Sequence, residues 1–266
     1  MKNKFTFSDI LSCCLSLWIF FILFPLLFQF EKFFGANHQI LDYFIKEKLS
    51  FSYFLFDVNS IYLNAVCIFV LFFISITKIL YKFKFRVFLI IIEFILIQNI
   101  QVYIFPSLSS GWIVIRLLFC YLIISELFSL FTKGSKTDFF LIPIVRFQVV
   151  TIYFFAFCSK MTGSDWVNGT AVELSLRHPQ YSLFSEYVSY LPSSFYLIIN
   201  YLVLSYQLVF PLVFTNLKIR HYILAFGLMF HLFTFILYGL WTFYISMSLS
   251  LLSFYFPWDR NLYKRE

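Results

Sequence analysis

Residues 222–256 read YILAFGLMFHLFTFILYGLWTFYISMSLSLLSFYF. The stretch is apolar almost throughout, yet it is too long for one membrane crossing, which takes about 20 residues across a hydrocarbon core about 30 Å thick. Of its two glycines, Gly239 divides it near the middle, so two helices broken at Gly239 are predicted. How this stretch divides decides the helix count, and with it the side on which the basic C-terminal residues lie.

Working outward, apolar runs of spanning length fall at about 8–30, 60–80, 87–105, 111–131, 139–159 and 193–216. With residues 222–256 split, the expectation is an all-α integral membrane bundle of about eight transmembrane helices, N- and C-termini both cytoplasmic. Charge supports that count. The inner side then holds Lys2, Lys4, Lys78, Lys82, Lys84, Arg86, Lys133, Lys136, Lys218, Arg220, Arg260, Lys264 and Arg265, against Lys32, Lys46, Lys48, Lys160 and Arg177 outside. This is the bias that the positive-inside rule demands. A single crossing at 222–256 would carry Arg260, Lys264 and Arg265 outside.

The composition agrees. The chain is 61% apolar, 24% aromatic and 12% charged, with mean hydropathy +0.86, against roughly 45–50% apolar and about 25% charged in soluble domains. A net charge of +7 therefore reads as membrane orientation and not as nucleic-acid binding. Seven Gly and seven Pro in 266 residues leave little for a flexible linker, so one membrane domain over residues 1–266 is expected. The first run lacks a small-residue cleavage pattern and is expected to be a retained helix. Two outer loops, 31–59 and 160–192, carry the extramembrane mass. In the first, FGANHQILDYFIKEKLSFSYF (34–54) has the mixed character of a short helix lying in the interface.

Five cysteines, Cys13, Cys14, Cys67, Cys120 and Cys158, fall within or at the ends of predicted helices. None stands at metal-ligand or CxxC spacing, so they read as small packing residues and no metal site is expected. Polar residues inside spans say more, because an ionised side chain there costs at least about 2.5–3.5 kcal/mol. These are Glu93, Arg116, Glu126, Arg146, Gln148, Gln207 and His231. At about 1.5 Å per residue, Glu93 and Arg146 both lie about 10 Å from the inner ends of their helices, with Glu126 nearly as deep. Arg146 therefore has two candidate carboxylate partners, Glu93 and Glu126. Simple ties between helices are the ordinary alternative to a polar pocket. A lone His at this depth is more often a hydrogen-bonded core residue than a ligand.

Arg146, Tyr153 and Lys160 recur every seven residues, nearly two turns, and so share one helix face. That face leads from the inner polar level to the outer mouth, where TGSDWVNGT follows Lys160 and Met161. The plain reading of Lys160 is a snorkelling anchor at a helix end. The other reading is a working amine, because desolvation at an apolar mouth penalises the ammonium form.

Residues 146–178, RFQVVTIYFFAFCSKMTGSDWVNGTAVELSLRH, resemble the vitamin K-dependent γ-carboxylase-like family, also called horizontally transferred transmembrane domains. The resemblance lies in an Arg-hydrophobic-Gln start, a Tyr-Phe pair, a Lys, a Trp-x-x-Gly and a closing Arg-His. It continues more weakly in YQLVFPLVF (206–214), the helix of His231 and FYFPWDR (254–260). It implies Lys160 as catalytic base, with Arg146, Gln148, Tyr153, Trp166, Gly169, Arg177, His178, Gln207 and His231 as pocket or motif residues. It also implies a reduced naphthoquinone as cofactor. The carboxylases carry a large lumenal domain after the membrane part, and with ten residues after Phe256 the expectation is a protein without it. The expected likeness is thus to the small bacterial relatives that accompany secreted antimicrobial peptides of the sporulation-delaying type. This implies maturation of a secreted peptide at the bacterial cytoplasmic membrane, with lipid, the peptide and companion membrane or secreted proteins as partners. A non-enzymatic maturation, immunity or export component is the second expectation, and a transporter the third.

Overall fold

The structure is a computed structural model and describes residues 6–28, 61–80, 86–103, 110–131, 137–188, 190–215 and 217–256. Among these all regular structure is helical. Four helical segments are long and apolar enough to cross a membrane: Ser110–Phe131, Asp138–Met161, Ser193–Phe214 and Lys218–Tyr238. The expected interfacial helix at 34–54 and the FPWDR end beyond Phe256 lie outside the described residues.

The chain divides into two compact units, Met1–Leu141 and Ile142–Glu266. The first is built from α1 (Phe7–Phe28), α2 (Ile61–Leu80), α3 (Arg86–Tyr103) and α4 (Ser110–Phe131). Each packs on the next, and α4 returns to α1, where Trp18 meets Trp112 edge to face at 4.9 Å. Polar side chains tie all four helices together. On α3, Glu93 is fully buried and accepts hydrogen bonds from Ser16 of α1 at 3.0 Å and Ser75 of α2 at 2.9 Å. Near the start of α3, Arg86 pairs with both Asp9 of α1 and Glu126 of α4. The first amides of α1 are capped by a distant carboxylate: Phe7 N and Ser8 N donate to Asp138 at 2.9 and 2.8 Å, which meets the usual shortage of acceptors at a helix start.

The second unit takes most of α5 (Asp138–Met161), three short helices α6 (Ser164–Val167), α7 (Ala171–Arg177) and α8 (Ser185–Val188), then α9 (Ser193–Val209), α10 (Leu217–Tyr238) and α11 (Trp241–Leu252). A 3-10 segment, Phe210–Phe214, continues α9. Pro211 offers no N–H to the carbonyl of Gln207, so the α pattern cannot continue and the chain tightens instead. The stretch 222–256 breaks where the sequence predicts. Gly239 has φ +68°, a left-handed conformation that only glycine adopts cheaply at a helix end, and α10 then turns back to pack on α11. The second half is shorter than expected. α11 is twelve residues long, about 18 Å, before the 3-10 turn Ser253–Tyr255.

Candidate functional site

The predicted face of α5 is a buried one in its N-terminal two-thirds: Arg146, Val149 and Tyr153 are all buried. Three polar levels stand along it, each separated from the next by seven residues, or about 10 Å.

At the first level, Arg146 donates to main-chain carbonyls. Its guanidinium donates to the carbonyl of Ser253 at 3.0 and 3.3 Å and to that of Phe256 at 2.6 Å, and it lies over the Phe254 ring at 5.4 Å. These carbonyls end α11 and its 3-10 turn, where spare acceptors and the negative end of the helix dipole favour a cation. Glu126, one of the two carboxylates expected opposite Arg146, is taken up by Arg86. Glu93, the other, receives the hydroxyls of Ser16 and Ser75.

At the middle level, the Tyr153 hydroxyl lies 2.5 Å from Nε2 of His231 on α10 and receives a hydrogen bond from the Tyr206 hydroxyl of α9 at 3.4 Å. Tyr153 and His231 are buried together among aromatic rings. Tyr153 stacks on Phe210 at 4.0 Å, and His231 meets Phe243 and Phe230 at 5.0 and 5.1 Å. His231 Nδ1 has no partner among the described residues. If Tyr153 donates to Nε2, then Nδ1 carries the proton, and the chain of hydroxyls ends on one free N–H. Gln207 Oε1 and both amide ends of Gln148 are likewise buried without a described partner.

At the third level, near the C-terminal end of α5, Lys160 is half-buried, and its ammonium lies over the Trp166 ring, 5.0 Å from the centroid. No carboxylate among the described residues pairs with it. The Trp-x-x-Gly element has a mechanical explanation. α6 ends in a Schellman turn, in which Gly169 N donates to Trp166 O at 3.3 Å and Thr170 N to Asp165 O at 2.8 Å. This requires φ +80° at Gly169, and a Cβ there would collide with Leu197 of α9. Two side chains of α9 clamp the turn: Asn200 Nδ2 donates to Trp166 O and the Tyr201 hydroxyl to Val167 O, both at 2.9 Å. The Trp166 ring is thereby held under Lys160.

The closing Arg177 and His178 do not join this line. Arg177 pairs with Glu173 one turn back at 2.9 Å and covers the Tyr196 ring at 5.3 Å. His178 is exposed and accepts from the Gln180 amide at 3.3 Å. Arg177 thereby covers part of the small core of Val172, Leu176 and Tyr196, while the His178 ring meets Tyr181 at 5.0 Å. The sequence reading missed Asn200, Tyr201 and Tyr206. Asn200 stands seven residues before Gln207, a spacing that places both on one face of α9 and could have been used to find it. No family model, no curated protein and no solved structure matches this chain.

Proposed function

We propose that this protein is a membrane enzyme acting on a secreted peptide, with Lys160 as the base at the outer mouth of its second unit. The observation that carries the reading is the setting of Lys160. It tops the same helix face that carries the buried Tyr153 and His231 pair, half-buried and without a carboxylate among the described residues. A carboxylate at that position would hold the amine in its charged form. The Trp166 face holds the resting ammonium more weakly, by about 0.5–2 kcal/mol, which leaves the proton available for exchange.

The topology that goes with this reading has eight crossings, both ends inside, and residues 160–192 outside. A reduced naphthoquinone, the group implied by the resemblance of residues 146–178, would supply a strong base on reaction with oxygen. The groups of unit 2 that would meet such a ring are Phe210, Phe230 and Phe243, which pack around Tyr153 and His231, and Nδ1 of His231, which has no partner among the described residues.

The test compares the full chain with Lys160→Ala and Lys160→Arg in lipid nanodiscs, with oxygen uptake measured in the presence of a reduced naphthoquinone. The intact chain is expected to accelerate uptake, and both variants to fall to background while unfolding at the same temperature. Arg stays protonated and cannot act as the base, whereas an anchor would be served by Arg as well as by Lys. Full activity in Lys160→Arg reduces Lys160 to an anchor. An inactive wild type returns the protein to the non-enzymatic reading.

A further inference from the structure

The connection between α7 and α9 leaves large side chains uncovered. Tyr181 is 62% exposed, Leu183 69%, Tyr187 74% and Tyr190 89%, with Phe184 beside them at 39%. Glu186 is the only charged residue between 181 and 190. Such a cluster is costly in open water, at about 25 cal/mol per Å² of apolar surface.

The backbone of this segment is tied to two spanning helices. Leu183 N donates to Leu237 O at 2.8 Å, one residue before the end of the Lys218–Tyr238 span. The Tyr196 hydroxyl, in the first turn of the Ser193–Phe214 span, donates to Val188 O. Consecutive spans run in opposite directions, so the start of one and the end of the next lie at the same face of the membrane. The segment therefore sits at the level where hydrocarbon gives way to headgroups. Tyrosine, with an apolar ring and a polar tip, is the residue enriched at that level.

We infer that residues 181–190 form an in-plane aromatic anchor whose exposed rings insert into the lipid headgroup layer. The occupant of this surface is lipid, because the two helices that hold it are long and apolar enough to cross a membrane and the segment lies at their ends. The inference is independent of any chemistry at Lys160.

The experiment places the photo-crosslinker p-benzoylphenylalanine at position 187 or 190 of the full chain. The same reagent at Phe233, exposed within the α10 span, serves as the reference. The protein is held in nanodiscs of phosphatidylethanolamine and phosphatidylglycerol, irradiated, and its adducts are weighed by mass spectrometry. Lipid adducts at 187 and 190, as at 233, are the expected result. Adduct levels at 187 and 190 no higher than without irradiation would overturn the inference. So would adducts to protein instead, whether to this chain, a second copy or an added peptide.

Discussion

The Tyr153 hydroxyl and Nε2 of His231 lie 2.5 Å apart, fully enclosed between α5 and α10. Neither group has water to fall back on, so the bond matters chiefly through the cost of leaving one partner alone. Tyr153→Phe and His231→Leu are each expected to lower stability by about 1–3 kcal/mol. The double variant should cost clearly less than the sum. Thermal unfolding in nanodiscs measures the coupling, and strict additivity would mean that the bond contributes nothing.

Tyr206 bonds to this pair through one 3.4 Å hydroxyl contact, and its ring also meets that of Tyr153 at 5.2 Å, so Tyr206→Phe, which keeps the ring, should cost less than about 1 kcal/mol through the lost bond. The hydroxyl has a steric role as well. A Cβ at Gly227 of α10 would collide with it and come within 3.2 Å of Leu251. Gly227→Ala is therefore expected to destabilise by about 1–3 kcal/mol, and Tyr206→Phe should relieve part of that loss. An undiminished loss in the double variant would place the strain at Leu251.

Glu126 and Arg86 supply a further test. Removing one partner of a partly buried pair strands the other charge, at up to about 3–5 kcal/mol. Arg86→Leu should be strongly destabilising and partly rescued by Glu126→Gln. Arg146→Leu should also destabilise, because it leaves the carbonyls of Ser253 and Phe256 without their donor. The Arg86–Glu126 double-mutant cycle, read by unfolding or by yield of folded protein, measures the pair, and strict additivity would mean that it contributes nothing.

At the outer turn, Gly169→Ala would require a left-handed backbone and a clash with Leu197. The backbone contribution alone is about 1–2 kcal/mol. The turn over residues 163–170 should open, and hydrogen exchange at Gly169 and Thr170 should speed up, while amides in the middle of α10 stay protected. Unchanged exchange would mean that the turn tolerates the substitution.

Much of this architecture was legible in the sequence because it depends on local chemistry. Apolar length located the helices. A single glycine located the break at Gly239, since no other residue adopts that φ cheaply. The spacing of Arg146, Tyr153 and Lys160 put them on one face, because helix geometry alone determines that. The partners were not legible. Two carboxylates at similar depth looked equal opposite Arg146, and no spacing in the sequence shows that Glu126 meets Arg86. Arg146 donates to the main-chain carbonyls of Ser253 and Phe256, and every residue has a carbonyl. Only the tertiary structure decides which carbonyls a helix end leaves unpaired beside a buried cation, and which imidazole meets which phenol.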